Sequence, residues 1–126
     1  MRCLVFGGRD FKDRDALWAK LDEIHKDTPI TEVIEGGQVS TDPAERDLPW
    51  SMREKWGADY FGGQWAIARG VKRTQVCAEW RKYGPSAGPR RNQVMADLKP
   101  DLAVMAPGGR GTADMRSRLS CKVVEL

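Results

Sequence analysis

Short apolar runs alternate along the chain with longer stretches in which apolar residues recur every three or four positions. Arg2 to Phe6 reads as a short strand stopped by Gly7-Gly8. Asp13 to Lys26 reads as a helix, because Leu17, Leu21 and Ile24 fall on one face. Ile30 to Glu35 predicts a second strand that ends at Gly36-Gly37. Ala58 to Arg69 predicts a second helix, with Phe61, Trp65 and Ala68 facing one way and Gly70 as its C-terminal cap. A third strand is expected from Val71 to Cys77. A third helix is expected from Ala87 to Leu98, opened by Gly88-Pro89. Asp101 to Ala106 reads as a fourth strand, Gly111 to Leu119 as a fourth helix and Lys122 to Glu125 as a final short strand. Strand and helix in regular alternation predict an α/β domain. Its five-stranded, mostly parallel sheet would carry helices on both faces, in three layers.

The chain has 126 residues, which suits one domain spanning 1–126. Residues 38–56 interrupt the alternation. They are charged and irregular, and they contain Asp42-Pro43, Leu48-Pro49-Trp50 and Arg53-Glu54-Lys55. A loop of this length in a compact domain is usually functional or disordered. It leaves the second strand at the glycine-rich end of the sheet. It could be a lid whose Trp50 or Trp56 stacks on a base, or a surface excursion anchored by those tryptophans.

Composition narrows the classes. Charged residues make up 31% and hydrophobic residues 40%, a globular balance. The net charge is only +3, from 21 basic and 18 acidic residues mixed along the chain. That favours a local anion pocket over a broad nucleic-acid surface. No apolar run is long enough to span a bilayer, and Met1 to Gly7 is too short for a signal-peptide core, so a cytoplasmic protein is expected. Cys3, Cys77 and Cys121 form no CxxC pair and read as buried, reduced core thiols. His25 reads as a solvated helix residue. No metal-ligand cluster is evident.

The richest chemistry lies in Pro107-Gly108-Gly109-Arg110-Gly111-Thr112, between a strand and a helix. Glycines let backbone approach a ligand closely, and a helix N-terminus offers unpaired N–H groups and partial positive charge, so this order suits a phosphate. Gly7-Gly8 and Gly36-Gly37 end two more strands at the same edge and would line the pocket floor. Arg9 is a further candidate phosphate ligand, and Asp10 could cap the first helix or bind a ribose hydroxyl. Arg91 and Asn92 fall in the first turn of the third helix. Arg91 there could clamp phosphate and Asn92 could bond ribose or base. Asp59 opens the second helix, either as an N-terminal helix acid or as a pocket residue.

Gly7-Gly8-Arg9-Asp10, Gly36-Gly37, Gly57-Ala58-Asp59, Ala87-Gly88-Pro89 with Arg91-Asn92, and Pro107 to Asp114 together resemble the YspA-type, YpsA-related branch of the SLOG superfamily. The resemblance runs nearly end to end, with residues 38–56 as an insertion. It implies a Rossmann-like fold that binds nucleotides or nucleotide-derived ligands. Relatives include DprA and the Lonely Guy phosphoribohydrolases, which release the base from a nucleoside 5′-monophosphate. The phosphoribohydrolase signature continues as PGGxGTxxE, and its glutamate acts with an arginine of the preceding helix. Arg91 matches that arginine, but Met115 stands at the glutamate position. Asp114 is adjacent, yet one residue turns a side chain about 100° around a helix.

The expected function is therefore binding of a nucleotide-like small molecule, as a sensor or sequestering protein. No cofactor is evident, although Mg²⁺ could accompany a polyphosphate. An N-glycosidase with a relocated acid is the first alternative, with Arg91, Asp59 and Asp10 as candidate catalytic residues. Single-stranded DNA binding of the DprA kind is a second, disfavoured by the mild charge. No membrane partner is expected, and apolar helix faces are compatible with a homodimer.

Overall fold

A computed structural model describes residues 1–126. The chain runs β1 (Arg2–Phe6), α1 (Arg14–Asp27), β2 (Glu32–Glu35), β3 (Ser40–Thr41), β4 (Lys55–Trp56), α2 (Ala58–Arg69), β5 (Lys72–Gln75), α3 (Trp80–Tyr83), α4 (Ala87–Asp97), β6 (Leu102–Met105), α5 (Arg110–Arg118) and β7 (Lys122–Glu125). Five strands form one sheet in the order β5-β2-β1-β6-β7, and every pair in it is parallel. The domain is a Rossmann-like α/β sandwich. Successive crossovers run outward from β1 through β2 to β5, then outward the other way through β6 to β7. The order thus reverses between β1 and β6, and a crevice opens there beyond the strands' carboxyl ends.

Alternation along the strands builds two cores. Cys3, Val5, Val33 and Val104 face one side and pack with Leu17 and Leu21 of α1 and Phe61, Trp65 and Ala66 of α2. Leu4, Phe6, Ile34 and Ala103 face the other, against Met95 of α4 and Met115 of α5. The polar edge strand β5 is tied to its neighbour by Arg73 Nε, which donates to Glu35 Oε2 at 3.1 Å. α2 ends on Gly70 in a left-handed conformation (φ +67°), where glycine carries no Cβ penalty.

The structure corrects four local expectations. On α2 the buried partner of Phe61 and Trp65 is Ala66, while Ala68 faces solvent. Cys77 is exposed and Cys121 half-buried, so Cys3 is the single fully buried thiol. Cys77 lies beyond the end of β5, whereas burial pushes the Cys3 thiol up to about 12. His25 is not a solvated side chain. Its Nδ1 accepts the Ile30 N–H at 2.9 Å, and its ring meets Trp65 edge-on at 5.3 Å.

Residues 38–56 form an excursion closed at its base, where β3 and β4 pair antiparallel. Between them lie two single 3₁₀ turns, Pro43–Glu45 and Trp50–Met52. Trp56 anchors the excursion to the α1/α2 core, with Lys12 Nζ 4.3 Å above its ring. Trp50 is 54% exposed beside Arg53 and Lys55. Neither tryptophan walls the crevice at the β1/β6 reversal.

Candidate functional site

At that reversal lies a cleft of about 1020 Å³. The loops leaving β1 and β6 form its base and are bound to each other. Gly8 N–H donates to Pro107 O at 2.9 Å, and a Cβ on Gly7 would sit 2.6 Å from Ala106 Cβ. A Cβ on Gly108 would meet the Thr112 side chain and lie 2.7 Å from the Gly8 nitrogen. Gly7, Gly8 and Gly108 are thus required by close packing of chain on chain. Gly109 and Gly111 differ, because a Cβ on either would point into open space.

Two helix N-termini open on the cleft. α5 begins after Gly109 with no side-chain cap and no acid in its first turn, and α4 also begins without a side-chain cap. By contrast, Asp13 caps α1 by accepting the Ala16 N–H at 3.0 Å. The first-turn N–H groups of α5 remain available to an anion and its helix dipole favours one, whereas at α4 the Ala87 N–H is taken by Gly84 O and Pro89 has none. Arg9, Arg91 and Arg110 add positive charge to the same walls, and Asp10, Asp59 and Asp114 add negative charge.

Arg91 Nη1 donates to Gly36 O at 2.5 Å, and its Nε donates to Asn92 Oδ1 at 3.0 Å. Asn92 is buried, and its Nδ2 donates to Asp114 Oδ2 at 2.9 Å and to Gly111 O at 3.3 Å. Its amide is therefore committed within the protein, and it braces the glycine loop from behind. Arg118 completes the brace by donating to both oxygens of Asp114 at 2.9 and 3.0 Å, and these bonds hold Asp114 below the usual carboxylate range. Gln38, with its amide oxygen turned to accept, takes Arg9 Nη2 at 3.2 Å and Nε at 3.3 Å.

Asp59 is buried in the cleft wall and accepts the Gln38 N–H at 3.1 Å. Burial pushes its carboxyl up to about 7, against the opposing pull of that N–H and of the Arg91 charge. Behind it Glu35 is fully buried, accepting from Gly37 N–H at 2.5 Å as well as from Arg73 and Gln75. Its carboxyl is also raised by burial.

The structure therefore gathers Gly7, Gly8, Arg9, Asp10, Asp59, Arg91, Asn92, Pro107, Gly108, Gly109, Gly111 and Thr112 around one cleft. Gly36 and Gly37 stand apart from its walls. Gly36 sits behind Arg91 and Asp59, where a Cβ would lie 2.5 Å from Arg91 Nη1, and a Cβ on Gly37 would meet Cys77. Met115 is buried with Met95 and offers no proton chemistry. Asp114 wall-lines the cleft but spends its oxygens on Asn92 and Arg118. No group of three or more His, Cys, Asp or Glu side chains converges to hold a metal ion, and no helix is long and apolar enough to cross a membrane.

Sequence reasoning missed Gln38, Trp80 and Glu35. Glu35 had one legible signal: an acid ending an apolar strand run immediately before a glycine pair.

A sequence profile of the YspA, cpYpsA-related SLOG family matches residues 1–46. The chain is also similar to the "Gene 61 protein" of Mycobacterium phage D29, with 30% identity over 110 residues, covering 86% of this chain and 78% of that protein. No solved structure matches the chain.

Proposed function

The chain belongs to the YspA, cpYpsA-related SLOG family, and on that premise we propose that its cleft binds a nucleotide or nucleotide-derived ligand, as a sensor or sequestering protein. The observation that carries this reading is the uncapped start of α5 at Gly109, whose N–H groups open on the cleft beside Arg110 and Arg9. Gly109, Gly111 and Thr112 would cradle the phosphate. Arg110 and Arg9 would neutralise it from the mouth. Arg91 would face it from the wall while holding Gly36, and Asn92 would keep the cradle in place. A divalent ion such as Mg²⁺ would arrive with the phosphates of a polyphosphate ligand, since the chain converges no metal site of its own.

One observation favours a second reading, in which the ligand is processed. Asp59 is buried in the cleft wall with its carboxyl near half-protonation at neutral pH, a state suited to proton transfer. It would take the place left by Met115 in cleaving an N-glycosidic bond. There water adds to the anomeric carbon, the bond to the base breaks, and the base leaves with a proton.

Thermal melts across a nucleotide panel test the first reading. A bound ligand raises Tm with the logarithm of its excess over Kd, and Gly109→Val removes that rise. A panel with no Tm shift at millimolar ligand defeats it. Release of free base by the wild type, lost in Asp59→Asn, would establish the second.

A further inference from the structure

Four of the five tryptophans have a partner for their rings. Trp18 lies beneath Arg14 and Arg69 at 4.9 and 5.2 Å, Trp50 beside Arg53 and Lys55, Trp56 beneath Lys12, and Trp65 against His25. Trp80 pairs with no aromatic ring and no cation. It is 51% exposed, and it is the one tryptophan that walls the cleft. Phe11 also reaches the cleft, but its ring is taken edge-on by Phe61 at 6.3 Å.

A half-exposed indole forgoes part of its burial, so a free aromatic face inside a cleft is a ready platform for a planar ligand. Its support is built. The indole rests on the first turn of α4, where a Cβ on Gly88 would lie 3.2 Å from Trp80 Cη2. One turn further along the same helix, about 6 Å of rise, Asn92 holds Gly111 of the phosphate loop. The aromatic face and the α5 start are thus both held by one helix, at positions a turn apart along it.

We propose that Trp80 is the base-recognising wall of the cleft, its free indole face stacking on the planar heteroaromatic ring of a nucleotide whose phosphate lies on the α5 N-terminus. The inference rests on the nucleotide-binding reading and adds to it the residue that distinguishes a nucleotide from a sugar phosphate. Stacking tolerates any base, because each has a π face, so Trp80 selects for the presence of a base more than for its identity.

Calorimetric titration with the four ribonucleoside 5′-monophosphates and with ribose 5-phosphate tests it, on wild type, Trp80→Phe, Trp80→Leu and Trp80→Ala. Trp80→Leu keeps apolar bulk on Gly88 but removes the π face, so it guards against collapse of the wall in the alanine variant. Wild type is expected to prefer at least one nucleotide over ribose 5-phosphate by about five- to a hundredfold. Trp80→Leu and Trp80→Ala are expected to lose that preference with ribose 5-phosphate affinity unchanged, and Trp80→Phe to retain most of it. A nucleotide preference that survives in the leucine and alanine variants overturns the inference. So does a wild type that binds nucleotides and ribose 5-phosphate equally, or a loss that falls equally on both ligands. In those cases the nucleotide site itself stands. Wild-type protein that binds none of the five ligands overturns both.

Discussion

Arg91 reaches from α4 to the end of β2 and donates from Nη1 to the Gly36 carbonyl at 2.5 Å. A residue whose charge faces the cleft is thereby also a strut between a helix and the sheet. Its charge also steadies the buried Asp59 carboxylate. Structure and the proposed ligand recognition would therefore share one guanidinium, and substitutions there will report on both.

Arg91→Ala leaves the Gly36 carbonyl without its donor and Asp59 without the Arg91 charge that favours its ionised form. A loss of about 1–3 kcal/mol is expected in urea melts at pH 7. Arg91→Lys should recover only part of this, because a single ammonium cannot serve both Gly36 and Asn92. Melts that coincide for wild type and Arg91→Ala would show that the strut carries no stability.

Asp59 makes a pH prediction with a definite sign. Its folded-state pKa of about 7 lies above its ordinary value of 3.8. Between those values the native protein holds a proton that the unfolded chain has released. Its contribution is therefore fully present below about pH 4, falls as pH rises, and is gone above about pH 7. The full swing is on the order of 4 kcal/mol. Asp59→Asn lacks this titration, so the stability of wild type relative to Asp59→Asn should decline from pH 4 to pH 7 and then level. Urea midpoints for the two proteins at half-unit pH steps would check it. A constant difference across that range contradicts the buried, proton-holding state.

Much of the fold was legible because apolar periodicity and glycine punctuation agreed. Leu17 and Leu21 marked α1, and Gly7-Gly8 and Pro107-Gly108-Gly109 marked where β1 and β6 hand over to the cleft. What stayed hidden depended on side-chain direction. The sequence places Asn92 beside Arg91 but cannot show that its amide is spent on Asp114 and Gly111. Gly36-Gly37 looked equivalent to the other glycine pairs, yet β2 lies one strand away from the reversal, and Arg91 and Asp59 stand between Gly36 and the cleft. Trp80 sits in Glu79-Trp80-Arg81-Lys82-Tyr83, a short charged segment that does not show which way its aromatic rings face, so nothing local distinguished it from Trp50 or Trp56.

The brace behind the glycine loop should titrate the opposite way. Asp114 is held below its ordinary value by Arg118 and Asn92, so its contribution is present above about pH 4 and lost as pH falls through the depressed pKa. Asp114→Ala should cost roughly 1 kcal/mol at pH 7, a figure kept small because the Arg118 pair is partly solvated. The gap between wild type and variant should narrow towards pH 3. Ligand affinity should fall as well, because Asn92 then loses the acceptor that orients it toward Gly111. A stability gap independent of pH would assign the effect to packing.

Gly108 and Gly109 are neighbours with opposite roles, and alanine or valine at each separates fold from function. A Cβ on Gly108 would collide with Thr112 and with the Gly8 backbone, where the two strand-end loops are bonded through Gly8 N–H and Pro107 O. Gly108→Ala should therefore cost about 1–3 kcal/mol of stability, since backbone must move to admit it. A Cβ on Gly109 meets nothing within 4 Å, so Gly109→Val should melt close to wild type. Its isopropyl group instead projects where α5 presents its free N–H groups, and it should lower nucleotide affinity by tenfold or more by holding a phosphate off the helix start. Urea melts and calorimetric titrations on the same two variants decide the matter. Gly109→Val that folds normally and binds a nucleotide as tightly as wild type would remove the phosphate cradle from this loop.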